Sequence, residues 1–222
     1  DRVIQMGESS DMVFLVGAPG IDNIVNMKLL DRNELESELG WRINKPTALF
    51  TYHSETLSTV EATDQIRKIL SIIGGLDINV LFTYANSDDG GRVINNEIEE
   101  FASKDKEKYL VVKSLGQLKY LSAMKHLNFI IGNTSSGIIE AASFQKPVVN
   151  IGHRQLGRLQ SGNVVDSTIE KLEEAVSKVM SDRFIGRCNE VVNIYGDGRS
   201  SQHIVDLLRE QSLSTIKTFN DL

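Results

Sequence analysis

A single cysteine, Cys188, occurs in the 222 residues, so neither an internal disulfide nor a cysteine-based zinc site can be assembled from this chain. No apolar run is long enough to span a bilayer, no secretory leader is visible, and the chain starts without an initiator methionine. Surplus positive charge is missing too. The 24 Lys and Arg against 30 Asp and Glu leave a net charge of −6, which argues against a nucleic-acid-binding face as the main business. Neither a GxGxxG run nor the lysine-bearing phosphate loop is present, so the standard glycine-rich phosphate cradles are absent. There is no internal repeat and no low-complexity linker. From these absences the expectation is a cytoplasmic protein with neither membrane nor nucleic acid as a partner.

What is present is an ordinary globular composition, 41% hydrophobic and 24% charged, with enough length for one large domain or two small ones. Apolar runs at Met12–Gly17, Thr47–Tyr52, Asn79–Tyr84, Tyr109–Lys113, Asn128–Ile131 and Val148–Ile151 read as strands. Helical patterns lie between most of them. Ser58-x-x-Glu61 and Ser167-x-x-Glu170 read as capping boxes. Val60, Ile66, Ile69, Leu70 and Ile73, then Val93 to Phe101, Leu118 to Met124, Leu172 to Val179 and Ser200 to Gln211 carry helical spacing. Continuous apolar strands separated by helices predict an α/β fold with a doubly wound, Rossmann-like parallel sheet. Ligands of such sheets bind beyond the strand C-termini, near the switch point. Asp1 to Gly7 reads as the end of a helix closed by Gly7, and Gly17-Ala18-Pro19-Gly20 as a boundary. The expected division is residues 1–19, the end of a preceding N-terminal domain with its linker, and residues 20–222, the ligand-binding domain with its C-terminal helix.

The most informative run is Gly132-Asn133-Thr134-Ser135-Ser136-Gly137-Ile138-Ile139-Glu140. Small polar residues stand where an apolar strand feeds a helix, a place where free N–H groups, hydroxyls and the helix dipole favour an anion. The alternative is that Asn133 to Ser136 merely cap the helix. Glu140, one turn further on, would repel a phosphate and suits sugar hydroxyls better. Four more polar clusters follow strands or turns. His53, in Thr51-Tyr52-His53-Ser54-Glu55-Thr56, is a phosphate contact or proton carrier, or else a structural histidine. Asn86-Ser87-Asp88-Asp89-Gly90-Gly91-Arg92 reads as a polar loop capping a helix in preference to a metal site, and no metal is expected. Arg154 and Arg158, in Gly152-His153-Arg154-Gln155-Leu156-Gly157-Arg158, are a diphosphate clamp or solvated surface. Tyr195 to Ser201 reads as a turn and helix cap.

These clusters, in this order, resemble the hydrolysing UDP-N-acetylglucosamine 2-epimerases, in particular the sialic-acid-pathway type. The resemblance is strongest over Gly132 to Glu140 and over Pro147 to Arg158, with Thr51 to Thr56 and the Asn86 loop as independent support. It implies the second domain of a glycosyltransferase-B arrangement, needing no cofactor and partnered by UDP, a UDP-N-acetylhexosamine and a missing N-terminal domain. It leaves the oligomeric state open, a homodimer included. It further implies that Thr134, Ser135 and Ser136 donate to the diphosphate, that Glu140 binds ribose hydroxyls, and that Arg154 supports the diphosphate or ribose side. Asn86 would line the nucleotide pocket, the backbone around Leu115 would hold the uracil, and Arg158 is an additional candidate. His53 would act at the phosphate or sugar as the catalytic residue of this half. The family's catalytic carboxylates lie mainly in the first domain, so the fragment alone is expected to be inactive. The family reaction eliminates UDP across C1–C2 of the sugar and hydrates the resulting glycal, giving N-acetylmannosamine. A glycosyltransferase-B transferase using a UDP-sugar, or a non-catalytic nucleotide-sugar-binding module, is the alternative.

Overall fold

A computed structural model describes residues 1–55, 61–88 and 90–211. In chain order the elements are α1 (Arg2–Gln5), α2 (Pro19–Asn26), α3 (Arg32–Leu39), β1 (Thr47–Thr51), α4 (Ala62–Gly75), β2 (Asn79–Thr83), α5 (Gly91–Ala102), β3 (Tyr109–Val112), α6 (Gly116–His126) and β4 (Phe129–Gly132). They continue with α7 (Ser135–Ile139), β5 (Val148–Ile151), β6 (Val164–Ser167), α8 (Leu172–Val179), α9 (Asp182–Cys188) and α10 (Ser200–Glu210). The chain divides into two compact units, Met27–Ile194 and a second made of Asp1–Asn26 with the segment from Tyr195. Among the described residues no helix is long and apolar enough to cross a membrane.

The larger unit is built on one six-stranded sheet in the order β3-β2-β1-β4-β5-β6, every pair parallel. Alternation along each strand splits the apolar residues between two faces. Ala48, Phe50, Val80, Phe82, Ile131 and Val149 face one core, closed by Ile66, Ile69 and Ile73 of α4, Ile94 and Ile98 of α5, and Val176 and Val179 of α8. Leu49, Leu81, Ile130 and Val148 face the other, closed by Leu35 of α3 and Ala123 and Met124 of α6. Helices therefore cover both faces, which makes the sheet doubly wound. Strands buried on both sides need no polar face, and β1, β2, β4 and β5 are accordingly buried at every residue. The strand order reverses between β1 and β4, so residues after these two strands share the crevice at the switch point.

Two sequence expectations need correction. Met12–Gly17 is not a strand: Ser10–Met12 forms a 3₁₀ turn and the following residues pair with nothing in the sheet. Phe14 is 41% and Leu15 100% exposed, so this apolar run has no pleated neighbour to pack on, the condition on which strand preference depends. The second correction is Ser167, which ends β6 instead of capping a helix; its hydroxyl donates to the Thr168 carbonyl, and α8 begins only after Lys171. β6 escaped notice because it is an edge strand of four residues interrupted by Asp166. Ser58 and Val60 lie outside the described residues; Glu61 is the N-cap residue of α4.

In the smaller unit, Pro19 opens α2, and the Asp22 carboxylate accepts the N–H groups of Ser200 (2.9 Å) and Ser201 (2.7 Å). These bonds, led by those from Ser201, hold the Asp22 carboxyl below its ordinary range. The Tyr195 to Ser201 segment thus supplies the capped start of α10. The division between the two units falls after α2, between Asn26 and Met27.

Candidate functional site

The crevice residues are held chiefly by main-chain bonds. β4 ends at Gly132, whose φ is +144° and whose absent Cβ would stand 1.8 Å from the Thr51 carbonyl oxygen. This close approach lets Asn133, fully buried, lie against the end of β1. Its side chain accepts the His53 N–H (2.8 Å) and donates to the His53 carbonyl (2.8 Å). The backbone of residue 53 is therefore fixed from both sides, while its imidazole is left for other work.

That imidazole is half-buried, and its Nδ1 accepts the Asn86 N–H at 3.1 Å. An accepting Nδ1 places the proton of the neutral ring on Nε2. Burial, aided by the Arg154 guanidinium, holds the pKa below the ordinary 6.5, with Asp88 acting in the opposite direction. Because the folded value lies below the unfolded one, His53 contributes stability that is full above about pH 6.5 and is lost as pH falls through the folded pKa. We expect the His53 ring resonances to titrate with a midpoint below 6.5, with the Nε2–H tautomer at neutral pH, and the midpoint to rise in Arg154→Ala. A wild-type midpoint at or above 6.5 in a nitrogen-detected NMR titration would contradict this environment.

The loop after β5 meets the same crevice. Arg154 donates from Nη1 to the Asn133 carbonyl (3.3 Å), and the buried Gln155 donates to that carbonyl at 2.8 Å. Glu55 accepts the backbone N–H groups of His153 (2.9 Å) and Arg154 (3.2 Å). His53, Asn133, Arg154 and Glu55 are thereby connected across three loops.

Beside them stands a hydroxyl cluster. Thr134 is the N-cap of α7 and accepts the Ser136 N–H. The Ser136 hydroxyl is shared with Thr134 (3.1 Å) and with Tyr120 of α6 (2.5 Å). Ser135 has no side-chain hydrogen bond among the described residues and is half-buried. α7 has only five residues, so its dipole is small, and the groups that could meet an anion here are the hydroxyls and Arg154. The Glu140 side chain, at the end of α7, also has no hydrogen bond among the described residues, and burial pushes its carboxyl above the ordinary range. Such a half-buried acceptor is matched by a donor of neutral chemistry, such as a hydroxyl.

The remaining candidates are less closely joined. Asn86 is exposed and its side chain is turned to Asp88 (2.6 Å); Asp89 and Thr56 lie outside the described residues. Leu115, just before α6, is 5% exposed and its side chain belongs to the core, which leaves only its backbone for a ligand. Arg158 is exposed and lines a cavity of about 680 Å³ with Gln160, Asp166 and Lys171, a cavity that the crevice residues His153 and Gln155 also line. Among the described residues no three His, Cys, Asp or Glu side chains are grouped to hold a metal. Tyr120 and Gln155 were missed by sequence reasoning. Tyr120 carries no motif, and its role depends on α6 bringing its hydroxyl to Ser136 of α7; Gln155 lay within a cluster read only for its arginines.

The sequence model of the family described as UDP-N-acetylglucosamine 2-epimerase matches residues 1–209. A hydrolysing GDP/UDP-N,N'-diacetylbacillosamine 2-epimerase of Campylobacter jejuni is 38% identical over 184 residues, 82% of this chain and 48% of that protein. A hydrolysing UDP-N,N'-diacetylbacillosamine 2-epimerase of Legionella pneumophila is 31% identical over 208 residues, 94% of this chain and 54% of that protein. The chain thus spans about half the length of the curated relatives it matches. The solved structure of S. aureus MnaA with UDP superposes with a TM-score of 0.71 at 20% identity, covering 99% of this chain and 60% of that one.

Proposed function

The chain belongs to the UDP-N-acetylglucosamine 2-epimerase family, and from that membership we propose that it is the nucleotide-gripping half of a hydrolysing epimerase, the second domain of a glycosyltransferase-B arrangement. The observation that carries this reading is the convergence of His53, Asn133 and Arg154 at the β1/β4 switch point, beside the Thr134–Ser136 hydroxyls. A diphosphate set there would receive the Ser135 hydroxyl and the Arg154 guanidinium, with Thr134 and Ser136 ordered around it by Tyr120. Glu140 would accept ribose hydroxyls, Asn86 would flank the nucleotide, and the main chain at Leu115 would meet the base. Arg158, in the cavity that His153 and Gln155 also line, would be an additional positive charge near the site.

The reaction removes a proton from C2 of the sugar and breaks the C1–O bond to UDP, leaving a glycal. Water then adds its oxygen at C1, and a proton returns to C2 on the opposite face. The leaving diphosphate gains charge, which Arg154 and the hydroxyls would stabilise. His53, neutral and carrying its proton on Nε2, is suited to donate toward the departing phosphate or the sugar. The base at C2 would come from the family's other half. The sugar is UDP-N-acetylglucosamine or a diacetylated relative of it; two similar proteins are named for the latter. The product would serve sialic acid or related nonulosonate synthesis.

Calorimetry on this chain tests the grip. UDP should bind, and release of N-acetylmannosamine should stay at background without the other half. Ser135→Ala and Arg154→Ala should each weaken UDP by about 1.5–3 kcal/mol, the range for hydrogen bonds to charged groups, and weaken uridine much less. Equal losses for UDP and uridine would move these residues away from the phosphates. Turnover in the complete protein that depends on a sugar acceptor would replace the epimerase with a transferase.

A further inference from the structure

Glu55 stands two residues beyond His53, on the segment that leaves β1. Its Oε1 accepts two successive main-chain N–H groups, those of His153 and Arg154. Successive N–H groups after a left-handed residue make an anion-binding concavity, and Gly152 supplies that residue at φ +73°. A Cβ on Gly152 would stand 2.2 Å from Oε1, so glycine is required for the carboxylate to come this near. The opposite end of Arg154 is held by the Asn133 carbonyl, and Asn133 holds the main chain of His53. The circuit His53–Asn133–Arg154–Glu55 then closes through residue 54.

We propose that Glu55 is a positioning residue, which sets the Arg154 guanidinium relative to the His53 imidazole before any ligand arrives. The inference rests on the nucleotide-gripping reading and deepens it: the contribution of Arg154 to anion affinity passes through the Glu55 carboxylate. A resident carboxylate in an anion concavity has an opposite reading as well, in which it occupies a place that the diphosphate must take over. The two readings predict opposite signs.

The experiment uses this chain with Glu55→Ala, Glu55→Gln and Glu55→Asp, each also combined with Arg154→Ala. Amide hydrogen exchange needs no nucleotide. The His153 and Arg154 amides should exchange slowly in the wild type, about tenfold faster or more in Glu55→Ala, and at an intermediate rate in Glu55→Gln, whose amide oxygen still reaches and accepts. Equal exchange in wild type and Glu55→Ala overturns the proposal. In calorimetry with UDP, Glu55→Ala should lose about tenfold in affinity, one charge-assisted bond at the low end of its range. Glu55→Gln should recover most of this, and Glu55→Asp, one methylene short, should not. On the Arg154→Ala background, Glu55→Ala should cost nothing more; additive losses would mark a role in packing alone and overturn the proposal, as would tighter UDP binding by Glu55→Ala. A wild type that ignores UDP defeats the nucleotide reading and leaves exchange to decide on the clamp. Where Glu55→Ala does not fold, Glu55→Gln against Glu55→Asp makes the same comparison.

Discussion

His53→Ala in the full-length protein should lower turnover by about 10²–10⁴-fold, the range for a general acid–base group, and scarcely move the melting midpoint. The stability half of this expectation follows from how residue 53 is held. Both Asn133 bonds go to its N–H and carbonyl, which alanine retains. Among the described residues the ring makes one hydrogen bond, that with the Asn86 N–H, and Asn86 is exposed, so water replaces the imidazole there at small cost. The packing of β1 comes from Ala48, Leu49 and Phe50, all fully buried. Single-turnover kinetics run beside a thermal melt separate the two halves. Normal turnover would remove His53 from the chemistry, and a collapsed melt would make it a structural histidine.

Gly132→Ala should have the largest effect on stability. Its Cβ would sit 1.8 Å from the Thr51 oxygen and 2.7 Å from the Thr51 carbonyl carbon, both main-chain atoms at the centre of the sheet. Neither strand can yield without opening the β1–β4 register that pairs Thr51 with Gly132. Overpacking and backbone strain each cost about 1–3 kcal/mol, so a loss of about 2–6 kcal/mol is expected. Nucleotide affinity should fall as well, since Asn133 would move with residue 132. Denaturant midpoints measure the first effect; a variant as stable as the wild type would mean that the two strands do not approach as described.

Much of the architecture was written in local pattern. The runs that became β1, β2, β4 and β5 are buried on both faces, so their residues are apolar without interruption and recognisable in isolation. β6 was not legible, because an edge strand with Asp166 in it has no such run. Met12–Gly17 misled for the converse reason: its residues have strand-like character but no sheet beside them. The site divides along the same line. Clusters following strands marked where His53, Thr134 to Ser136 and Arg154 would stand, since a parallel sheet gathers the C-terminal ends of its strands on one edge. The bonds among those clusters join residues distant in the chain, 16 positions apart between Tyr120 and Ser136 and 98 apart between Glu55 and His153. No periodicity records such pairings, so the clamping role of Glu55 and the link from Tyr120 to Ser136 emerged only with the fold.

The way residue 53 is anchored has a meaning for change over generations and at the bench. A position gripped by its main chain and released at its side chain behaves as a socket: the scaffold specifies where a functional group stands and leaves open which group it is. Substitutions at 53 would therefore explore different chemistry on an unchanged frame, whereas substitutions at Asn133 or Gly132 would disturb the frame itself. A saturation library restricted to position 53 should yield mostly folded proteins that differ in what they can do, and it is there that a new reaction would be sought first.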